Sequence, residues 1–272
     1  MKSIQQLRKE FDQLGSLYPK SASVMVEETV VNGVASYWFI PDNAIANRII
    51  IYLHGGVYAL GSVYSHGNLI THIAAKLKTR VLFVDYALAP EHPYPAASDE
   101  VMNVYTELMA SYPDHQIGFI GDSAGGGLTV TAIGRMLKAG LPLPYAVAMI
   151  SPWIDLAAGN ASYQVNQNID PVLNTDIIKN ATQSYLNGTP IKEANPVNVA
   201  LNSFPPVLIA VGTNEILLDD SINFYEMVKL LQPNATLTVY ENQNHVWPLS
   251  SISSEASLQL LEEMDVLFNP NI

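Results

Sequence analysis

The fold is decided by residues 117–127, which have the sequence IGFIGDSAGGG. The apolar residues that open this stretch predict a short buried strand, and residues 128–137, rich in Ala, Leu, Ile and Met, predict a helix. At the junction, Ser123 lies between Gly121 and Gly125. A Gly-x-Ser-x-Gly pattern between a strand and a helix is typical of a nucleophile elbow, a sharp turn that exposes the serine Oγ.

Steric and electrostatic requirements explain which residue types occur at this turn. A chain that passes abruptly from strand to helix holds the serine in a strained conformation, and Cβ atoms beside it would collide, so tiny residues are needed there. The first turn of the helix leaves backbone N–H groups free to stabilise a developing negative charge. The alternative is that Ser123 only caps the helix, but the strand before it and the helix after it favour the elbow.

The composition is that of a globular protein with a large core. Of the 272 residues, 49% are hydrophobic and 14% are charged, which predicts one large α/β domain or such a domain with a small insertion. The formal net charge of −12, with no Lys/Arg cluster to offset it, argues against nucleic acid and anionic membrane surfaces as partners. The absence of cysteine excludes disulfides, thiolate metal sites and a cysteine nucleophile.

No segment of the sequence predicts export or membrane insertion. Residues 1–10 lack the apolar stretch of a signal peptide. No uninterrupted apolar run approaches the roughly 18 residues of a transmembrane helix. We therefore expect a cytoplasmic protein without a membrane span.

The rest of the chain alternates between strand and helix patterns. Residues 3–16 predict an amphipathic helix. Residues 23–31 and 34–40 predict a hairpin, because Asn32-Gly33 suits a two-residue turn with positive φ at both positions. Further strands are predicted at 48–53, 80–86, 145–150, 206–211 and 235–240. Further helices are predicted at 67–78, 96–111, 217–231 and 254–268.

Buried strands joined by crossover helices predict a doubly wound, mostly parallel α/β sheet, to which the hairpin adds antiparallel edge strands. Residues 155–200 interrupt this alternation, since they are rich in Asn, with several turn signals and a helical stretch near 174–187. Because ligands bind beyond the carboxyl ends of the strands in such sheets, we expect this insertion to lie over the site.

A serine nucleophile needs a histidine base and a carboxylate that orients it, here in the chain order serine, acid, histidine. Of the six histidines, only His245 follows the last predicted acid-bearing strand, and the alternative is that it is a surface histidine of a polar loop. For the acid we favour Glu215, at the end of the strand 206–211. Asp219 and Asp220 lie on the following helix and suit its first turn better.

The segment His54-Gly55-Gly56-Val57 ends the strand that follows the hairpin. Glycines at a strand end allow backbone N–H groups to turn toward the elbow. We expect the N–H groups of Gly55, Gly56 and Val57, together with that of Ala124, to form an oxyanion hole. The alternative is a plain strand-end turn.

The other histidines are interpreted as structural. His54 precedes the elbow, so we expect it to bond loop backbone rather than to act as a base. His66 and His72 are six residues apart and do not share a helix face, so no metal site is predicted. His92 and His115 lie in turn-rich stretches and are interpreted as structural or solvated.

Several motifs cover nearly all of residues 48–250. They are HGGVYALGS at 54–62, DYALAPEHPYPAA at 85–97, GDSAGG at 121–126, SPWIDL at 151–156, Asp170-Pro171 and His245-Val246-Trp247. Together and in this order, they resemble the motifs of the hormone-sensitive-lipase-like carboxylesterases of the α/β-hydrolase fold. The number of matching motifs makes the resemblance specific.

The resemblance implies an eight-stranded, mostly parallel sheet with a small helical cap built from residues 1–20 and from the insertion 156–198. The catalytic core is then residues 21–155 and 199–272. The resemblance also implies a serine esterase that hydrolyses short- to medium-chain carboxylic esters without a cofactor or a metal.

Two residues depart from the family's pattern. The third glycine of the oxyanion motif is Val57 here, so its N–H remains but its side chain narrows the pocket near the carbonyl. The acid, three residues after Gly212, is usually aspartate and is Glu215 here, so the loop must absorb one extra methylene. We predict that Ser123, Glu215 and His245 form a catalytic triad that works through an acyl-enzyme.

Two other functions stay open at this point. Arylformamidases and other amide hydrolases of this fold share the triad and a His-Gly-Gly-x motif followed by an aromatic residue, which Tyr58 fits loosely. A ligand-binding protein on this scaffold would typically lack the catalytic histidine, which is present here. The expected partner is a small-molecule ester. Homodimers occur in similar proteins, although the sequence contains no interface signal.

Overall fold

A computed structural model describes residues 2–270, and its centre is a single mixed sheet. The strands in the described part of the chain are β1 (Val24–Val31), β2 (Val34–Pro41), β3 (Arg48–Leu53), β4 (Arg80–Val84), β5 (Gln116–Asp122), β6 (Val147–Ile150), β7 (Val207–Gly212) and β8 (Thr236–Tyr240). Their order across the sheet is β1-β2-β4-β3-β5-β6-β7-β8. Strands β3 to β8 are parallel, whereas β2 pairs antiparallel with both β1 and β4. The predicted eight-stranded, mostly parallel sheet is confirmed.

Helices connect most of the strands. They are α1 (Ile4–Asp12), α2 (Val63–Leu77), α3 (Ala96–Ser111), α4 (Ala124–Ala139), α5 (Ser162–Val165), α6 (Thr175–Leu186), α7 (Ile191–Ala194), α8 (Leu218–Val228) and α9 (Glu255–Phe268). Short 3₁₀ turns lie at Gln13–Ser16, Pro196–Asn198 and Trp247–Leu249. Among residues 2–270, no helix combines the length and apolar character that crossing a bilayer requires.

The predicted hairpin forms the antiparallel edge of the sheet. Asn32 and Gly33 both have positive φ, 47° and 82°, as a two-residue turn requires. The register pairs Val31 with Val34 directly across this turn. Placing the antiparallel pair at the edge leaves the centre of the sheet to the parallel strands.

The central strands are buried on both faces. In β3, Ile49, Ile51 and Leu53 belong to the core shared with α3, α4 and α8. The alternate residues, Ile50 and Tyr52, belong to the core shared with α2 and α9. Because side chains alternate between the two faces of a strand, two apolar layers require the near-continuous apolar run that β3 has.

Two helices begin earlier than the sequence pattern predicts. Helix α2 begins at Val63 rather than at residue 67, because Ser62 caps it by accepting from the N–H of Tyr64. The Ser65 hydroxyl accepts from the Ser62 N–H in return, at the position where Glu or Gln usually completes a capping box. Helix α4 begins at Ala124, directly after the elbow serine.

The N-terminal segment lies against the start of α2. Ser3 and Gln6 form a capping box at the first turn of α1, which has no fully buried residue. The 3₁₀ turn that follows packs so closely that a Cβ on Gly15 would lie 1.8 Å from the Tyr64 carbonyl oxygen. Close backbone packing at this turn therefore fixes where α1 lies.

The insertion between β6 and β7 carries α5, α6 and α7. Asn174 caps α6 by accepting from the N–H groups of Asp176 and Ile177. The buried face of α6, including Ile178 and Tyr185, belongs to the same core as α3 and α4. The division into a core, residues 21–155 and 199–272, and a cap, residues 1–20 and 156–198, stays a prediction.

Candidate active site

The elbow serine lies between β5, which ends at Asp122, and α4. Ser123 has φ 51° and ψ −119°, a conformation that costs a non-glycine residue about 1–3 kcal/mol. A Cβ on Gly125 would lie 1.9 Å from the Leu53 carbonyl oxygen, and one on Gly121 would lie 2.5 Å from the Gly125 carbonyl oxygen. Glycine at both positions therefore allows β3, β5 and α4 to approach closely around the serine.

Two loops bring a histidine and a carboxylate to this serine. The Nε2 atom of His245 lies 2.9 Å from Ser123 Oγ, and its Nδ1 atom lies 2.8 Å from Glu215 Oε2. A carboxylate accepts hydrogen bonds, so Nδ1–H donates to Glu215 and Nε2 is left to accept from the serine hydroxyl. The structure therefore brings Ser123, Glu215 and His245 together, with His245 in contact with both of the other two residues, as a catalytic triad requires.

The carboxylate sets the acid–base behaviour of His245. Burial by itself lowers the pKa of this imidazole, whose side chain is only 6% exposed. The hydrogen bond and the negative charge of Glu215 outweigh burial and raise the pKa above its usual value. The imidazole is therefore suited to take up a proton from Ser123 and to hold it as a stabilised imidazolium.

Of the three candidate acids, only Glu215 contacts His245. Asp220 accepts from the N–H groups of Ile154 and Asp155, and Asp219 accepts from that of Ser162. Both aspartates lie in the first turn of α8, as expected, and their carboxylates also bind the backbone that follows β6. The Asp219 contact ties α8 to the insertion.

The insertion also holds the backbone of the acid loop. Asn166 Nδ2 donates to the Glu215 carbonyl oxygen at 2.8 Å, and Asp170 Oδ2 accepts from the Ile216 N–H at 3.0 Å. Both polar side chains are buried. Sequence reasoning did not assign these contacts, although Asp170 belongs to one of the motifs that carry the resemblance.

The oxyanion strand end differs from the prediction at one residue. The Gly55 N–H donates to Asp122 Oδ2 at 3.0 Å, so it is not available to an oxyanion and the prediction is wrong for Gly55. Within residues 2–270, no acceptor is paired with the N–H groups of Gly56 and Val57. Ala124 opens α4, where backbone N–H groups lack helical partners.

Val57 adopts a backbone conformation that favours glycine. Its φ is 52°, between Gly56 at 115° and Tyr58 at 60°. Val57 therefore keeps the backbone conformation of the glycine that the family usually has at this position. Because a β-branched residue with positive φ is strained, this conformation costs energy here. The Val57 side chain borders the cavity over Ser123.

His54 and Asp122 are buried next to the site and contact other residues of the fold. His54 Nδ1 lies 2.7 Å from the Gly55 carbonyl oxygen, and its ring stacks on Tyr86 with 4.2 Å between centroids. Burial, and next the neighbouring His66, lower the pKa of His54 to about 3. The prediction that His54 bonds loop backbone is confirmed.

Burial favours protonation of Asp122, but His66 and the hydroxyl of Tyr52 outweigh it and lower the pKa of this carboxyl.

Among the described residues, no group of three or more His, Cys, Asp or Glu side chains is arranged to hold a metal ion. His72 Nε2 lies 3.0 Å from the Pro19 carbonyl oxygen, and His66 Nδ1 lies 2.8 Å from the Ser65 hydroxyl. These histidines thus make local contacts within the fold.

An apolar cavity of about 440 Å³ covers Ser123 and His245. Its aliphatic and aromatic walls come from the N-terminal segment, from the insertion and from the core: Phe11, Leu14, Val172, Leu173, Ile177, Leu60 and Leu249. No Lys or Arg of the described chain lines it. The cavity therefore favours an uncharged, apolar group beside the serine.

The chain matches the α/β-hydrolase-fold family over residues 50–249. It is 34% identical over 226 residues to an esterase of Acinetobacter venetianus, a match that covers 81% of this chain and 74% of the relative. It is 36% identical over 203 residues to an acetyl-hydrolase of Streptomyces hygroscopicus, covering 74% of this chain and 68% of the relative.

Solved structures agree with these matches. An esterase from the bacterial hormone-sensitive lipase family has a TM-score of 0.95 and 33% identity, covering 100% of this chain and 93% of that one. Another similar structure is that of an esterase/lipase from an uncultured bacterium. It has a TM-score of 0.92 and 31% identity, and the match covers 99% of this chain and 92% of that one. The chain therefore belongs to the α/β-hydrolase-fold family as a hormone-sensitive-lipase-like carboxylesterase, an enzyme that hydrolyses carboxylic esters.

Proposed function

We propose that this carboxylesterase hydrolyses short- to medium-chain esters through a covalent acyl-enzyme on Ser123. The observation that carries the proposal is the unbroken series of contacts from Ser123 Oγ to His245 Nε2 at 2.9 Å and from His245 Nδ1 to Glu215 Oε2 at 2.8 Å. Ser123 and His245 of this series line an apolar cavity. A nucleophile, its base and an orienting carboxylate are the parts that acyl transfer requires.

In the acylation step, Ser123 Oγ attacks the ester carbonyl carbon while His245 Nε2 takes the hydroxyl proton. The carbonyl oxygen becomes an oxyanion, for which the N–H groups of Gly56, Val57 and Ala124 are the proposed donors. The imidazolium then gives its proton to the leaving alkoxy oxygen, so the alcohol departs and the acyl group stays on Ser123. Glu215 keeps the imidazole in the required tautomer and stabilises its positive charge.

In the deacylation step, water repeats the attack. His245 takes a proton from water, whose oxygen attacks the acyl carbon, and the same donors receive the second oxyanion. Collapse of this intermediate returns the proton to Ser123 Oγ and releases the carboxylic acid. The cycle uses only side chains and backbone groups of the chain, so neither step calls for a cofactor.

The size of the cavity supports the proposed chain length. Its volume of about 440 Å³ lies toward the low end of small-molecule sites, which range from about 300 to 1,000 Å³. Leu173, from the insertion, is almost fully buried at its wall. We therefore propose that short and medium acyl chains are accommodated within this cavity.

The test is hydrolysis of a p-nitrophenyl ester series from acetate to palmitate by the wild type and by Ser123→Ala. We expect turnover to be highest on short or medium chains and to disappear in the variant. Ser250→Ala is the matched control, because Ser250 lines the same cavity but its hydroxyl donates to the Trp247 carbonyl oxygen. Full activity in Ser123→Ala would contradict the acyl-enzyme, and a preference for palmitate would contradict the chain length.

Among residues 2–270, no contact favours the arylformamidase alternative. It depends on Tyr58, whose ring is buried and stacks on Tyr185 with 3.9 Å between centroids. Tyr58 is not among the residues that line the cavity. Comparing turnover of N-formyl aromatic amines with that of acetate esters separates the two functions, and a formamide preference above about tenfold would replace the ester proposal.

A further inference from the structure

We propose that Ser151 is a fourth member of the site, a positioning residue whose hydroxyl holds Glu215 in the orientation that reaches His245. This inference rests on the proposed triad and deepens it. Ser151 follows the last residue of β6 and is fully buried. Its Oγ atom lies 2.7 Å from Glu215 Oε1, the carboxylate oxygen that does not contact His245.

The direction of the Ser151 hydroxyl is fixed by a second contact. The N–H of Val246, the residue after His245, donates to Ser151 Oγ at 3.1 Å. An amide N–H can only donate and a carboxylate can only accept, so the serine proton must point to Glu215. Ser151 thereby connects the loop of the acid to the loop of the base through one hydroxyl group.

The contact has a particular use because the acid is a glutamate. Glutamate has one more rotatable bond than the aspartate usual at this position, so its carboxylate needs more restraint to face the imidazole. Oε1 receives two donors, the Ser151 hydroxyl and the Gly212 N–H, and Oε2 is thereby directed to His245. Three donors also compensate for the complete burial of the carboxylate.

The backbone of Ser151 indicates that the hydroxyl itself is needed. Ser151 has φ 49°, a conformation that glycine adopts without strain. A serine here costs conformational energy, and glycine would relieve it while losing the hydroxyl. Val246, the other residue of this contact, has φ 45° although it is β-branched. Strain of this kind concentrates where the surrounding structure holds functional groups in place.

The first test measures kcat and KM for Ser151→Ala and Ser151→Gly on a p-nitrophenyl ester of the preferred length. We expect kcat to fall about 10- to 100-fold in both, the range for losing a hydrogen bond to a charged group, with KM unchanged. Because Ser151→Gly also relieves the strained backbone, its folding should not suffer. Ser221→Ala is the matched control, since the Ser221 hydroxyl is equally buried but donates to the Leu217 carbonyl oxygen.

A double-mutant cycle with Glu215→Ala then asks whether Ser151 acts through the acid. We expect Ser151→Ala to cause no further fall in kcat once the carboxylate is gone, because the two groups work as a unit. Losses that multiply would overturn the inference, as would wild-type kcat in Ser151→Gly. If Glu215→Ala itself keeps wild-type kcat, the proposed triad fails, whereas full kcat in the Ser151 variants beside a crippled Glu215→Ala overturns only this inference.

Discussion

His54 and His245 are two buried histidines of the same site, and their acid–base behaviour is opposite. Burial and the neighbouring His66 lower the pKa of His54 to about 3, and its Nδ1 atom faces only a carbonyl oxygen. Burial acts on His245 in the same direction, but Glu215 outweighs it and raises the pKa. A carboxylate in direct contact therefore decides which imidazole can accept a proton, and burial alone does not.

The same comparison separates the two strand ends that carry these histidines. After β3, Gly55 is held to Asp122, which leaves the next N–H groups free beside the elbow. After β8, the loop places His245 between Ser123 and Glu215. One strand end thus supplies fixed backbone dipoles, and the other supplies a group that can be protonated and deprotonated.

The largest expected effect is that of exchanging His245 for glutamine, and the same exchange at His54 is its comparison. His245→Gln should lower kcat by a factor on the order of 10⁶, because the only proposed base is lost. His54→Gln should lower kcat by about tenfold or less, since it removes one hydrogen bond to the loop backbone. Steady-state kinetics on a p-nitrophenyl ester measure both, with circular dichroism as the check on folding. Equal losses in the two variants would break the comparison.

The next effect concerns the acid. Glu215→Gln should lower kcat by about 10⁴-fold, because an amide cannot stabilise the imidazolium or select its tautomer. Asp219→Asn is the matched control, since Asp219 accepts only a backbone N–H in the hydrogen bonds of the described chain and should change kcat little. Finding Asp219→Asn as damaging as Glu215→Gln would reject the assignment of the acid.

Asp220→Asn should affect stability more than catalysis. The carboxylate accepts from the N–H groups of Ile154 and Asp155 and from the side chains of Asn160 and Tyr163. An amide cannot accept from all four donors, so we expect the free energy of unfolding to fall by about 1–3 kcal/mol. Urea denaturation measures this loss, and kcat of the folded variant should stay near that of the wild type. Unchanged stability with lost kcat would reveal a catalytic role.

The smallest effect is expected at Val57. Val57→Gly removes the strain of a β-branched residue with positive φ, so the free energy of unfolding should rise by about 1 kcal/mol. The backbone N–H is kept, and kcat on the acetate ester should change little. Because the side chain borders the cavity, the variant should also accept bulkier esters relative to acetate. A large fall in kcat would show instead that the valine side chain supports the oxyanion donors.

The sequence was most informative where local steric rules govern the structure. The elbow, the Asn32-Gly33 hairpin and the parallel strands follow from glycine positions and apolar runs, and all three are confirmed. The choice of Glu215 also agrees with the structure, because chain order and strand ends limit which carboxylate can reach His245. Such rules act within a few residues of the motif.

Contacts between distant strand ends could not be predicted in the same way. The loss of Gly55 as an oxyanion donor depends on Asp122, which lies on another strand, and no spacing rule indicates that pairing. Ser151 was visible only as part of a motif, and its contact with Glu215 depends on how β6 and β7 lie side by side. The start of helix α2 is not evident from the sequence, because a serine replaces the usual Glu or Gln of its capping box.

The pH dependence of kcat/KM tests the central claim most directly, that Glu215 makes His245 the base. A base must be neutral to accept a proton, so activity falls on the acid side as His245 becomes protonated. Since Glu215 raises the pKa of His245, the acid limb should move to lower pH in Glu215→Gln and stay in place in His54→Gln. An acid limb that moves in His54→Gln and stays fixed in Glu215→Gln would contradict the account.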